Sequence, residues 1–112
     1  MKLQEVKEIL SAEVLTGEDE LDREVYSAWG CDLMSDVLAF VSDQALLLTG
    51  LVNPQVVRTA EMMDMKAIVF VRGKTPSEEI VELAKEADIV VLATETPLYL
   101  ACGKLYSSGL HK

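Results

Sequence analysis

One unit that occurs three times along the chain constrains the fold more than any other feature of the sequence. Short apolar runs at residues 45–48, 67–71 and 89–93 are each followed by a polar residue and then by Pro54, Pro76 or Pro97. The runs are too short for helices, and the second and third are rich in Val and Ile, as buried parallel strands are. Proline is well tolerated at the first position of a helix, where its missing N–H has no partner to lose. The pattern therefore predicts three strand–loop–proline–helix units.

Successive strand–helix units favour a parallel sheet with right-handed crossovers. We therefore predict an α/β fold, a three-layer α/β/α domain with a mostly parallel sheet, in which helices begin at Pro54, Pro76 and Pro97. Thr75 would cap the second of these helices in a capping box with Glu78. The earlier part of the chain predicts a helix over 2–10, strands over 12–15 and 24–29, an acidic turn over 17–22 and a helix over 32–41, in an order that the sequence does not determine. A length of 112 residues fits one domain over 1–112.

Charge and composition exclude several classes of partner. The net charge of −9 disfavours nucleic acids and anionic membranes, which select for Lys and Arg. No apolar stretch approaches the roughly 20 residues that span a bilayer, and the amphipathic N-terminus is not a signal peptide. We therefore expect a cytoplasmic protein without a disulfide, in which Cys31 and Cys102 are small buried apolar residues. Neither a metal site nor a bound cofactor is expected, because the ligands for one are too few.

The loops after the three repeated strands form the candidate ligand site. In a parallel sheet these loops and the helix N-termini meet at one edge, which is the usual ligand edge of such folds. Arg72 and Lys74 lie on one of the loops, and with free N–H groups at a helix start they could hold a phosphate or a carboxylate. The alternative is that the threonines only cap helices and that both cations are solvated. The candidate residues are Thr49, Gly50, Asn53, Arg72, Gly73, Lys74, Thr75, Thr94 and Thr96.

The Gly73-Lys74-Thr75 sequence is not a P-loop, because that motif requires a glycine five positions earlier, where this chain has Ile68 within a strand. No serine-hydrolase elbow, zinc-protease motif or nucleophile with a nearby histidine is present. The chain is therefore predicted to have no catalytic residues and not to be an enzyme.

Two further features have structural interpretations. Asp32, Ser35 and Asp36 lie at a predicted helix start, where capping and solvation are favoured over a Mg²⁺ site or an acid–base pair. Trp29 is either a core residue or an interface anchor.

Several blocks of the sequence resemble one known family. They are residues 6–10, 13–17 and 21–25, the segment 31–37, which is similar to an S-D-L-L-S-D-V segment, and the strand–helix units at 46–63 and 67–83. Together they resemble the DRTGG-domain family over nearly the whole chain. The chain departs from the family at residues 27–30, where the family is rich in glycine, and at Arg72-Gly73-Lys74, where the family has its T-G-G turn.

The resemblance implies an accessory module rather than an enzyme. DRTGG domains occur between the CBS domains of some pyrophosphatases and on phosphotransacetylases, and their fold is similar to the N-terminal domain of HPr kinase/phosphatase. Free-standing members are found beside iron-hydrogenase and redox genes. The family implies a regulatory or assembly domain, often dimeric, with no assigned catalytic residues.

Two functions remain open from the sequence. The first is a homodimeric regulatory module that binds a small anionic or nucleotide ligand at the carboxyl edge of the sheet. The second is an assembly or interaction protein for a redox enzyme, with no small ligand. The homodimer is also indicated by the apolar content of a short chain, because Leu98, Tyr99, Leu100 and Leu105 crowd the last helix and some should face a partner.

Overall fold

The computed structural model describes residues 1–40 and 44–111 as a sheet between two layers of helices. The strands are β1 (Glu13–Thr16), β2 (Ser27–Gly30), β3 (Ala45–Thr49), β4 (Ala67–Phe70) and β5 (Val90–Ala93). The helices are α1 (Leu3–Leu10), α2 (Met34–Phe40), α3 (Pro54–Met62), α4 (Glu78–Glu86) and α5 (Leu98–Ser107), with a short 3-10 turn at Glu18–Glu20. None of these helices combines the length and the apolar character needed to cross a bilayer.

The sheet confirms the predicted mostly parallel α/β architecture. Its strand order is β1-β5-β4-β3-β2, and β2 to β5 run parallel while β1 pairs antiparallel with β5. The three repeated strands are neighbours, with Leu47 opposite Ile68 and Ile68 opposite Val91. The units predicted from the prolines therefore build the centre of the sheet.

The two faces of the sheet form two separate apolar layers. Leu46 and Leu48 point towards α1 and α5, whereas Leu47 points towards α2, α3 and α4. All five residues of β3 are buried. Coverage on both faces explains why this strand is a continuous apolar run instead of an alternating one.

The predicted helix starts are correct for one of the three units. Pro54 is the first residue of α3, and the Asn53 side chain accepts a hydrogen bond from the Gln55 N–H at 2.9 Å. The capping box predicted at Thr75 is wrong: α4 begins at Glu78, and Ser77 caps it. The helix after the third strand begins at Leu98, with proline at the cap position and no side-chain cap.

The late start of α4 has a cause in the preceding loop. The N–H groups of Arg72 and Gly73 donate to the carbonyls of Thr96 and Thr94, each at 3.0 Å. The chain therefore continues beside β5 before it turns, and Pro76 lies buried in the loop instead of opening the helix.

Other sequence predictions are corrected in detail. Helix α2 begins at Met34, two residues later than predicted, and Val41 at its predicted end lies outside the described residues. The second strand begins at Ser27 instead of residue 24. Cys31 and Cys102 are partly buried and not fully buried. Cys31 directly follows β2, an edge strand, and Cys102 lies on the outer helix α5, so neither position is covered on all sides.

Candidate functional site

The carboxyl ends of β3, β4 and β5 meet at one edge of the sheet, and the loops that follow them are joined by backbone hydrogen bonds. The loop after β4 is held to the loop after β5 by the bonds from Arg72 to Thr96 and from Gly73 to Thr94. These two N–H groups are therefore used within the protein. The loops at this edge are bonded to each other, so a ligand would be contacted mainly by side chains and less by backbone N–H groups.

Two of the candidate threonines have buried and internally bonded hydroxyls. Thr49 is fully buried, and its hydroxyl donates to the carboxylate oxygen Oδ1 of Asp32 at 3.0 Å. Thr94 is also buried, and its hydroxyl donates to the carbonyl of Leu10 at the end of α1 at 2.7 Å. Both hydroxyls hold neighbouring elements together at this edge.

Asp32, Thr49, Gly50 and Arg72 form a compact group, which we call the Gly50 cluster. The Gly50 N–H donates to Oδ1 of Asp32 at 2.7 Å. The Arg72 side chain lies directly over Gly50, because a Cβ added to this glycine would come within 2.5 Å of Nη2 and 3.1 Å of Cζ. Arg72 itself has a left-handed backbone, with φ at 61°. Only glycine at position 50 leaves room for the guanidinium in this position.

Lys74 lies at a different place on the same edge. It lines a small cavity of about 150 Å³ near β5 and β1, together with Thr75, Ser11 and the acidic residues Glu13 and Glu95. The two cations of the loop are thus separated, with Arg72 at β3 and Lys74 near β1.

The carboxylate of Glu95 also borders the glycine of this loop. A Cβ on Gly73 would approach Oε2 of Glu95 to 2.8 Å, and Gly73 has a left-handed φ of 70°. Both cations therefore share the edge with carboxylates, since Asp32 lies in the Gly50 cluster and Glu95 lines the cavity at Lys74.

The helix starts at this edge differ in the charge they already carry. The first turn of α4 contains Glu78 and Glu79, which complement the positive end of the helix dipole. An added anion would meet these carboxylates. The first turns of α3 and α5 contain no acidic residue. Asn53 is committed to the cap of α3, so Arg72, Lys74, Thr75 and the half-buried Thr96 remain the accessible members of the candidate set.

Sequence reasoning did not place Asp32 and Glu95 in the candidate set. The sequence places Asp32 in a helix-start patch with Ser35 and Asp36, whereas in the structure its carboxylate reaches across to the end of β3. A signal was present, because residue 32 follows the second strand just as residue 50 follows the third. Once β2 is known to be parallel to β3, both loops must open at the same edge.

The described residues also bear on catalytic and metal chemistry. In residues 1–40 and 44–111, no three His, Cys, Asp or Glu side chains are grouped closely enough to hold a metal ion. Burial raises the pKa of the Cys102 thiol, so this thiol is protonated at neutral pH and is a poor nucleophile. Trp29 packs, partly buried, against the core layer formed with α2, α3 and α4.

The comparisons with known proteins agree with this architecture. The DRTGG domain family matches residues 5–105. The crystal structure of the CBS and DRTGG domains of the regulatory region of Clostridium perfringens pyrophosphatase, complexed with its activator diadenosine tetraphosphate, superposes with a TM-score of 0.79 at 24% sequence identity. The match covers 96% of this chain and 46% of that one, so this chain spans about half the length of that regulatory region. No curated protein sequence gives a match. Because the family matches most of the length of this chain and the fold agrees, this chain belongs to the DRTGG-domain family.

Proposed function

We propose that this chain is a non-catalytic, cytoplasmic regulatory module that works as a homodimer and binds a small anionic ligand of the nucleotide class at the carboxyl edge of its sheet. The observation that carries the proposal is the Gly50 cluster, in which the Arg72 guanidinium lies over Gly50 and the Gly50 N–H donates to the carboxylate of Asp32. The regulatory region of the clostridial pyrophosphatase, which contains a DRTGG domain and takes a nucleotide activator, supports the same class of ligand.

The charges of the edge favour a nucleotide over a simple anion. Arg72 is suited to a phosphate group, with charge-assisted and bidentate hydrogen bonds. Asp32 uses Oδ1 for its two internal hydrogen bonds, so its second oxygen is available for a hydroxyl or amino donor. Inorganic phosphate would gain only the contact with Arg72 and would be opposed by the carboxylate. A nucleotide offers both a phosphate and sugar hydroxyls, and it satisfies both groups.

The test is thermal unfolding of the full chain with AMP, ADP, ATP, diadenosine tetraphosphate, adenosine and inorganic phosphate. A ligand present at about 100 times its dissociation constant adds roughly 2.7 kcal/mol to the free energy of unfolding. Arg72→Ala should abolish the stabilisation by nucleotide. Gly50→Ala should abolish it too, because the new Cβ displaces the flexible end of Arg72 while the fold remains intact.

The matched control is Arg58→Ala, which removes an exposed arginine from α3, away from the loop after β4. This variant should respond to nucleotide as the wild type does. The proposal is wrong if no nucleotide stabilises the wild type, or if Arg72→Ala and Gly50→Ala retain the full stabilisation.

A second candidate function is an assembly or interaction protein for a redox enzyme of the iron-hydrogenase type, without a small ligand. Exposed apolar side chains favour it, since Tyr99 and Met62 are 87% and 71% exposed. This function would give no stabilisation with any nucleotide. It would give instead a complex with a redox enzyme that co-purifies from native cells and re-forms from the purified components.

A further inference from the structure

The outer face of α5 is a largely exposed apolar surface, on which the Tyr106 ring has a neighbour in the tilted ring of His111 at 5.1 Å. Tyr99, Leu100 and Tyr106 are 87%, 52% and 61% exposed, and Gly103 lies among them. Together these four residues form what we call the α5 face. A shallow groove of about 690 Å³ runs along it and extends to Ile9 of α1. Large exposed apolar patches of this kind mark interaction sites.

Gly103 gives this surface its shape. It lies inside a helix, where glycine is less favourable than alanine. Apart from the adjoining residues and the backbone of the same helix, no described atom comes within 4 Å of a Cβ placed there, so the fold of one copy does not require a glycine. What a glycine does permit is the close approach of another helix, since the distance between packed helices depends on the side chains at the contact.

The spacing of the tyrosines makes the face complementary to itself. Tyr99 and Tyr106 are seven residues apart, which is about 10 Å along a helix, and Gly103 lies close to their midpoint. A twofold axis that passes beside Gly103 relates two antiparallel copies of α5. It sets Tyr99 of one copy level with Tyr106 of the other, with the two glycines at the point of closest approach. Such a contact is isologous, as in the commonest class of homo-oligomer.

We propose that α5 packs antiparallel against α5 of a second copy of this chain through the α5 face. This inference rests on the homodimer of the proposed function and names the surface that forms it. The occupant is a second copy because the spacing of tyrosine, glycine and tyrosine repeats about a twofold axis, and because α5 lacks the acidic residues through which two copies would otherwise repel each other.

The distribution of charge favours the same surface. The chain carries a net charge of −9, so two copies repel each other at most of their surface. Helix α5 contains no acidic residue, and its only charged residue is Lys104. Lys104 has a long flexible side chain, which can keep its ammonium group in water at the rim of a contact. By contrast, α4 alone carries Glu78, Glu79, Glu82 and Glu86.

The size of the face sets the strength of the contact. Aromatic side chains bury about 150–250 Å² each, so the exposed parts of two tyrosines and a leucine supply roughly 300–400 Å² from each copy. The resulting total of about 600–800 Å² is below the roughly 1,200 Å² of a stable complex, and Ile9 adds only a little. We therefore expect a dimer with a dissociation constant in the micromolar range.

Sedimentation equilibrium of the full chain between about 1 µM and 500 µM covers the range in which an interface of this size dissociates. Gly103→Gln keeps a good helix former in α5 and adds bulk at the closest approach, so it should raise the dissociation constant at least tenfold. Tyr99→Gln should weaken the dimer in the same direction. Met62→Gln is the matched control, because it makes the same kind of change on α3, at a side chain that is 71% exposed, and should leave the dimer unchanged.

Thermal unfolding well below the dissociation constant measured by sedimentation, where every variant is monomeric, separates loss of the dimer from loss of the fold. Gly103→Gln should unfold at or above the wild-type temperature, because glutamine replaces glycine in a helix. A wild type that is monomeric at about 500 µM overturns both this inference and the proposed homodimer. A dimer that Gly103→Gln and Tyr99→Gln leave intact overturns the α5 face alone, and the homodimer then stands on another surface.

Discussion

The carboxylate of Asp32 joins the loop after β2 to the end of β3, and its removal should weaken the fold measurably. Oδ1 accepts the Gly50 N–H at 2.7 Å and the Thr49 hydroxyl at 3.0 Å, and both donors belong to buried residues. Asp32→Ala leaves both without an acceptor. The hydroxyl can rotate, but the backbone N–H cannot.

The magnitude follows from these two bonds. Hydrogen bonds to a charged group contribute about 1.5–3 kcal/mol each, and an unpaired buried donor costs about 1–3 kcal/mol. Asp32 is itself exposed, so its solvated carboxylate acts at the lower end of this range. We expect Asp32→Ala to lower the free energy of unfolding by about 2–3 kcal/mol, or the unfolding midpoint by roughly 8–12 °C. Asp32→Asn keeps an acceptor at Oδ1 and should cost about 1 kcal/mol.

Urea denaturation, followed by circular dichroism, measures these differences at a constant m-value. The control is Asp22→Ala, which removes an exposed carboxylate that makes no side-chain hydrogen bond or ion pair within the described residues. It should change the free energy of unfolding by less than about 0.5 kcal/mol. If Asp32→Ala and Asp22→Ala agree within that margin, the reasoning about the Asp32 contacts is refuted.

Three further outcomes follow from close contacts elsewhere in the fold. Gly30→Ala should lower the free energy of unfolding by about 1 kcal/mol through overpacking, because the new Cβ would come within 2.5 Å of Sγ of Cys102. Adding Cys102→Ala should restore most of that loss, as measured by urea denaturation of the double variant. Thr94→Val should lower the free energy of unfolding by about 1–3 kcal/mol, because it leaves the Leu10 carbonyl unpaired. Thr94→Ser keeps the hydroxyl and should be about as stable as the wild type. Burial raises the pKa of the Cys102 thiol, so in a Cys31→Ser background alkylation should be slow at neutral pH and faster after unfolding in urea.

Each of these three has its own contrary result. Full additivity of Gly30→Ala and Cys102→Ala would show that the two residues do not collide. Equal stability of the valine and serine variants of Thr94 would show that the hydroxyl is not used. The raised pKa of Cys102 also fixes how stability depends on pH. Because the thiol ionises at a lower pH in the unfolded chain than in the folded one, the free energy of unfolding should fall as the pH rises above the pKa of the unfolded thiol. The Cys102→Ala variant should not show this fall. Identical pH profiles of unfolding free energy for the wild type and Cys102→Ala would contradict the raised pKa.

Predictions from the sequence held where short-range chemistry decides the outcome. The three strand–proline units required the central parallel strands, because a short apolar run followed by a helix start has few other ways to bury its side chains. Pro54 opened its helix as expected because Asn53 caps it locally. Sequence blocks spread along nearly the whole chain were enough to indicate the family.

The tertiary structure decided everything that depends on contacts distant in the sequence. Helix α4 begins late because the loop before it bonds to the loop after β5, and no local signal encodes that pairing. Asp32 and Arg72 are forty residues apart in the sequence and come together only because β2, β3 and β4 are neighbours in the sheet. The α5 face was visible as apolar residues in the sequence, but periodicity alone did not say which of them the sheet would cover. The folded chain buries Leu105 and leaves Tyr99 in solvent, because only one side of an outer helix can pack against the sheet.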